Sequence, residues 1–238
     1  MRQLDGAKVV IPGGTSGIGL ATAQLALEQG AQVVIAGRTQ ERLDIAREVL
    51  GPVEGYLCDV TEDFSVAELF ERVKSCDHIF ICAAVSGEGR LLDDAKSAFA
   101  ANMDSRYWGH YNVCKYGAPT ISGNGSITFM SGLATHMHFP GAAGRAASQA
   151  AIESLAKYAA IELSPIRINT LLPGVVETPA LAEFLGEHYE EGMSQINSMI
   201  PVGRVAQPKE VAELALFVMG CEFMTGSTLL MDGGQLLK

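Results

Sequence analysis

Between Val9 and Gly19 the chain reads Val-Val-Ile-Pro-Gly-Gly-Thr-Ser-Gly-Ile-Gly, a β-branched run followed by glycines at 13, 17 and 19. Glycines at this spacing let the backbone turn tightly and approach a charged group. A helix starting near Gly17 then aims its free N–H groups at an anion such as a pyrophosphate. Gly13, Thr15, Ser16, Gly17, Ile18 and Gly19 are the first candidate binding residues. The second group is Ala36-Gly37-Arg38-Thr39, after the next β-branched run. A site for an unphosphorylated ribose wants a carboxylate there, about 20 residues past the glycines. Gly37 stands in that place, and Arg38 with Thr39 offers a guanidinium fork and a hydroxyl to a 2′-phosphate. The pair predicts NADP(H); the competing reading leaves Arg38 as a solvated residue near a helix start.

These groups need strand ends and helix starts to position them. Strands are expected at Lys8–Ile11, Gln32–Ala36, Glu54–Leu57, His78–Ile81, Ser126–Met130, Arg167–Leu171 and Thr228–Met231. Helices are expected at Gly17–Gln29, Gln40–Val49, Phe64–Val73, Ala95–Lys115, Ala146–Leu163 and Lys209–Met219. Strands such as Val9-Val10-Ile11 and Val33-Val34-Ile35 are apolar at consecutive positions, so both sheet faces must be covered. The alternation predicts an α/β fold: a Rossmann-type, doubly wound parallel sheet of about seven strands with helices on both faces. One dinucleotide-binding domain over residues 1–238 is expected. A long irregular region, Gly174–Val205, carries spaced apolar residues at 181, 184, 185, 193, 196, 199 and 200. The segment around 178–204 reads either as a lid over the site or as a structural excursion.

Composition narrows the functional classes. The chain has 238 residues, is 48% hydrophobic and 18% charged, and carries a formal net charge of −10. That balance disfavours nucleic acid and anionic membranes as partners, since both call for a basic face. No apolar run reaches the ~18–20 residues of a membrane span, and the N-terminus lacks a leader pattern. The five scattered cysteines read as reduced core thiols of a cytoplasmic protein, with no metal site indicated.

The glycine-rich stretch resembles the phosphate loop of the short-chain dehydrogenase/reductase family, which reads TGxxxGxG, with Pro12 where the family usually has Thr. Proline removes one backbone donor there. The resemblance runs the length of the chain. Asp59-Val60 looks like the family's adenine-contacting pair, and Asn102 falls on its helical Asn. Cys82-Ala83-Ala84-Val85 stands in the place of NNAG, so that Val85 adds bulk near the cofactor or marks neutral drift. Pro173, Gly174, Val176 and Thr178 fall in the PG segment that wraps the nicotinamide carboxamide, and Met231-Asp232-Gly233-Gly234 is similar to the closing motif. The resemblance implies dinucleotide contacts from Ala83 and Ala84 as well. It also implies homodimers or homotetramers packed through the helices at 95–115 and 146–163, where Ala147, Ala150 and Ala151 allow close approach.

Family members reduce carbonyls with a Ser, a Tyr thirteen residues on, and a Lys four residues after that. Here the ungapped alignment puts Gly132 on the Ser, Arg145 on the Tyr and Gln149 on the Lys, leaving Gln149 as a contact to the cofactor. A guanidinium with a pKa above about 12 is a poor proton donor at neutral pH, and a positioned acid is worth about 10²–10⁴ in rate. No catalytic residue is therefore assigned. Ser131 should point the other way on the strand. Tyr107 and Tyr111 are donors by type only, and Tyr158 lies about 20 Å along its helix from Arg145. His136 and His138 are the possible relocated donors, or else solvated loop residues.

A guanidinium beside the nicotinamide disfavours its cationic, oxidised form. At about 6 Å and an effective dielectric of about 20 the repulsion is on the order of 2–3 kcal/mol. The expectation is NADP(H) as cofactor with the reduced form favoured. Arg145 then either anchors a small anionic ligand or swings out to solvent. Three functions remain open: an NADPH-binding module or redox sensor, a reductase with a relocated proton donor, and a non-catalytic subunit of a hetero-oligomer.

Overall fold

The computed structural model describes residues 4–84, 89–92 and 96–238; Val85 and Ala95, which enter the expectations above, lie outside them. The chain alternates β1 (Lys8–Pro12), α1 (Gly17–Glu28), β2 (Gln32–Gly37), α2 (Gln40–Leu50), β3 (Glu54–Leu57), α3 (Asp63–Val73) and β4 (Cys76–Ile81). It continues through α4 (Lys96–Asn102), a π-helical turn (Met103–Trp108), α5 (Gly109–Gly117), β5 (Ile121–Met130), α6 (Ala143–Glu162) and β6 (Arg167–Pro173). Then come α7 (Pro179–Leu185), α8 (Tyr189–Met199), α9 (Pro208–Gly220) and β7 (Thr228–Met231).

The seven strands form one parallel sheet in the order β3-β2-β1-β4-β5-β6-β7. Consecutive apolar residues split between its two faces, as their pattern predicts. Val10, Val34, Ile79, Ile127 and Ile168 pack with Val66 and Phe70 of α3, Val113 of α5 and Ile152 of α6. Val9, Ile11, Val33, Ile35, Phe80 and Leu171 pack on the other face with Ala23 of α1, Leu43 of α2 and Val211 of α9. Chain order reverses between β1 and β4, and in such sheets ligands bind outside the strand ends at that crevice.

Three departures from the sequence expectations have local causes. β5 begins at Ile121, five residues early, because Gly123-Asn124-Gly125 hides its start. A β-carbon on Gly125 would strike the Asp77 carbonyl oxygen, so a residue of poor strand propensity is the one that fits. The helix expected over 95–115 carries a π-helical turn at Met103–Trp108, directly after Asn102. The region 174–205 is not irregular but holds α7 and α8. Pro179 at the first turn and Thr178, whose hydroxyl oxygen accepts from Leu181 N at 3.3 Å, start α7. Neither α7 nor α8 contains a buried residue.

All five cysteines are free thiols. Burial pushes Cys58 and Cys76 up to about 11 and Cys114 to about 12, which keeps them protonated. Among the described residues no helix is long and apolar enough to cross a membrane.

Two histidines are built into the layers as neutral groups. His78 on β4 meets Ser126 Oγ on β5 at 2.9 Å, and burial, then the Arg167 charge, push it down to about 4. His110 on α5 stands edge-on to Phe129 with centroids 5.2 Å apart and donates from Nδ1 to the Arg106 carbonyl at 2.6 Å. Burial pushes it to about 4 as well. A histidine whose folded pKa lies below its unfolded one binds its proton more readily after unfolding. Its contribution is therefore intact above about pH 6.5 and is lost as pH falls toward 4, at about 3 kcal/mol apiece. Urea unfolding should show a lower midpoint at pH 5 than at pH 7.5, with the difference reduced in His110→Gln.

Candidate functional site

The glycine-rich turn joins β1 to α1. Gly13 has φ +90°, and a β-carbon on it would stand 2.5 Å from the Ala83 nitrogen, so the turn lies backbone to backbone against the end of β4. The Pro12 carbonyl accepts from both Cys82 N (2.9 Å) and Ala83 N (3.1 Å), so the proline that departs from the family loop still ties the two strand ends together. Ser16 is the N-cap of α1 yet makes no side-chain cap bond, which leaves its hydroxyl for another partner. Ile18 gives its carbonyl to the Thr22 hydroxyl at 2.8 Å. A β-carbon on Gly19 would collide with the Gly13 carbonyl oxygen, which requires the missing side chain there.

At the end of β2 the packing explains the absent carboxylate. A β-carbon on Gly37 would stand 2.6 Å from Thr15 Cγ2, and Thr15 is buried. Arg38 and Thr39 are both exposed at the start of α2. The Thr39 oxygen accepts from Arg42 N at 3.4 Å, so capping the helix leaves its hydroxyl proton to donate elsewhere. Asp59 holds its own turn, accepting from Thr61 N at 3.0 Å and Thr61 Oγ1 at 2.8 Å. The Val60 carbonyl accepts from Asn112 Nδ2 at 3.1 Å, fixing this corner to α5. Ala83 is half-buried and Ala84 exposed.

On the far side, Pro173 ends β6, Gly174 N donates to the Met231 carbonyl at 2.9 Å, and Val176 bridges to Ala206. Thr178 Cγ2 comes within 3.2 Å of the position a Gly17 β-carbon would take. The segment from β6 to α7 therefore closes over the glycine-rich turn, and the two candidate groups that sequence places 160 residues apart share one wall.

The centre lies where β5 ends against α6. Gln149 is 4% exposed and its Oε1 accepts from Ala134 N at 2.9 Å. A β-carbon on Gly132 would lie 2.6 Å from Gln149 Nε2, so the amide occupies the space that a side chain at 132 would need. The Gly132 backbone itself is extended, with φ 177°. Arg145, half-buried, holds its guanidinium carbon 5.2 Å from the centre of the Phe139 ring, which corrects the reading in which it swings out to solvent. Burial, and then the Arg145 charge, push the buried Arg106 guanidinium down to about 10, so the charge of Arg145 is felt in the interior. Asn102, 1% exposed, stands beside Gly144 on α6.

Ser131 does not point away. Its hydroxyl reaches the Gln149 carbonyl at 3.4 Å and Glu153 Oε1 at 3.5 Å, because the regular strand ends at Met130. Glu153 Oε2 lies 3.6 Å from His136 Nε2, a pair that sequence reasoning missed although 145, 149 and 153 share a helix stripe. His138 lines an open cavity of about 490 Å³ with Leu91, Met137, Phe139 and Ala134. Tyr107 and Tyr111 stack edge-on against Trp108, and Tyr158 is 65% exposed on the outer side of α6.

Known proteins share this fold and sequence. A family model described as enoyl-(acyl carrier protein) reductase matches residues 13–235. The 3-oxoacyl-[acyl-carrier-protein] reductase FabG of Thermotoga maritima is 30% identical, covering 99% of this chain and 100% of its own. A solved structure titled as a short chain dehydrogenase/reductase family protein superposes with a TM-score of 0.91 at 32% identity, covering 99% of this chain and 100% of the other. The chain belongs to the short-chain dehydrogenase/reductase family. A further structure, a small-chain dehydrogenase in complex with NADPH, has a TM-score of 0.83 at 29% identity, covering 98% of this chain and 100% of the other. This family binds a nicotinamide dinucleotide, and the close backbone approach of Gly13 to Ala83 with the open Ser16 hydroxyl fits such a group.

The contact between Gly132 and the Gln149 amide predicts a coupled pair. Gly132→Ala should cost about 1 kcal/mol, because shifting the amide breaks its buried bond to Ala134. In a Gln149→Ala background the same change should be nearly neutral, as read by chemical denaturation of the four proteins in the cycle.

Proposed function

We propose that this family member binds NADP(H) but does not carry out ordinary carbonyl or alcohol redox chemistry, and acts as an NADPH-binding module or redox sensor. One observation carries the reading. At the end of β5 a buried Gln149 amide lies beside Gly132 and the Arg145 guanidinium stands near Phe139, which supports the reading that the Ser-Tyr-Lys group of the family is missing here. A nicotinamide bound there would supply a hydride; what this chain does not supply is a proton at the acceptor oxygen.

In this reading the backbone of Gly13, Gly17, Ile18 and Gly19, with Thr15 and the Ser16 hydroxyl, would hold the pyrophosphate. Arg38 and Thr39 would take the 2′-phosphate, and the crowding of Gly37 by Thr15 supports NADP(H), since a carboxylate does not fit there. Asp59 and Val60 would border the adenine, Ala83 and Ala84 the ribose side, and Pro173, Gly174, Val176 and Thr178 the carboxamide. The segment 178–204 would close over them as a lid; the absence of buried residues in α7 and α8 supports this. Arg145 would repel the oxidised ring and attract a small anionic ligand. Self-association is the accompanying proposal. It would use the outer face of α5 and α6, where Trp108, Tyr111, Tyr158 and Ile161 are exposed beside a groove of about 490 Å³.

A reductase with a relocated donor is the second reading, favoured by His138 in the cavity wall. Fluorescence titration separates the two. NADPH should bind at least about tenfold more tightly than NADP+, a gap of about 1.4 kcal/mol, and Arg145→Gln should bring the two within about twofold. Gly37→Asp combined with Arg38→Ala should weaken NADPH binding by more than about tenfold. Equal dissociation constants in the unmodified protein overturn the redox-sensor reading. NADPH consumption that disappears in His138→Ala establishes the second.

A further inference from the structure

We propose that Glu177 is a latch on the helical pair α7–α8, its carboxylate holding the pair down through Tyr189 and so gating both entry and exit of the dinucleotide. The inference rests on the reading of this cleft as an NADP(H) site covered by 178–204, and names the bond that controls the cover.

Both ends of the cover are anchored. Glu177 N donates to the Ala206 carbonyl at 2.8 Å and Ala206 N to the Val175 carbonyl at 2.9 Å, which ties the segment after β6 to the run before α9. The next residue, Thr178, packs against Gly17 of the glycine-rich turn. At the far end Ile200 is buried, and Asn197 Oδ1 accepts from Val205 N at 2.9 Å. Between these anchors α7 and α8 bury no residue, so apolar burial does little to decide where they lie. They pack on each other instead, with Leu185 Cδ2 standing 2.7 Å from the position a Gly192 β-carbon would take. The Glu177 carboxylate holds this pair in place. Its Oε1 accepts from the hydroxyl of Tyr189, the first residue of α8, at 3.1 Å. Its Oε2 accepts from Nε2 of Gln207, the N-cap of α9, at 2.6 Å. Gln207 N in turn donates to Glu210 Oε2 at 2.8 Å, and Arg204 grips the Glu210 carboxylate with two bonds of 2.7 Å. The carboxylate is therefore fixed from the α9 side, ready to take the phenol. Tyr189 and Glu177 are twelve residues apart, and their bond closes a loop around α7. Glu177 is exposed and water weakens such a bond, so its loss is read as a several-fold change in rate. Because the bond is present without a dinucleotide, it slows arrival and departure alike.

The test is stopped-flow fluorescence of NADPH with the full chain, joined to hydrogen exchange of the dinucleotide-free protein read by mass spectrometry. Tyr189→Phe removes the hydroxyl and keeps the ring. It should raise the association and dissociation rates of NADPH together, each at least threefold, and leave the dissociation constant within twofold. In a Glu177→Ala background the same change should add nothing further to either rate. Amides of α7 and α8 should exchange at least threefold faster in Tyr189→Phe, while those of β1 and β6 keep their rates. Unchanged rates overturn the proposal. So does faster dissociation alone with a weakened dissociation constant, which would make Tyr189 a ligand contact rather than part of a gate. If the unmodified chain does not bind NADPH, the cofactor reading fails, and the exchange arm decides the latch: faster exchange confined to α7 and α8 supports it, and unchanged exchange overturns it.

Discussion

Gly13 and Ala83 meet where β1 and β4 run side by side, the one place where the chain order of the sheet reverses. Their backbones are too close for a side chain on the first, and the Pro12 carbonyl holds both nitrogens at the end of β4. This closure draws the helix start at Ser16 to the crevice and gives the Thr178 segment a floor to lie on. It also leaves the end of β5 facing the same space.

Around this frame side chains fill space in matched pairs. Thr15 fills the space beside Gly37, and an exposed Arg38 follows it at the start of α2. Gln149 fills the space beside Gly132, and its orientation is held by a main-chain donor. A side chain added at either glycine meets its neighbour, Thr15 or Gln149. Gly132, Gln149 and Arg145 thus lie together at the end of β5, with Arg145 over Phe139 at the rim.

Much of the fold was legible because burial on both sheet faces leaves a distinct trace. β3 and β7 fall within the residues expected of them, and the doubly wound order follows from the alternation of elements. What escaped was governed by neighbours distant in sequence. The start of β5 is hidden in Gly123-Asn124-Gly125, whose fit depends on the Asp77 carbonyl, and the π turn after Asn102 leaves no periodic signal. α7 and α8 carry spaced apolar residues but bury none, so their pattern resembles a loop's. At the site, the glycine turn and Arg38 can be read from spacing. The direction of the Gln149 amide cannot, since it is decided by the Ala134 backbone, nor can the turn of Ser131 toward Glu153.

The central claim is that the cleft keeps its hold on the dinucleotide while the proton supply beside it is gone. Transfer of deuterium from NADPH labelled at the reactive carbon tests this most directly, with carbonyl compounds supplied in excess and the alcohol products analysed by mass spectrometry. The account predicts NADPH bound at the cleft and no deuterium in any alcohol above the protein-free control. Deuterated alcohol formed by the unmodified chain at many turnovers per protein would contradict it.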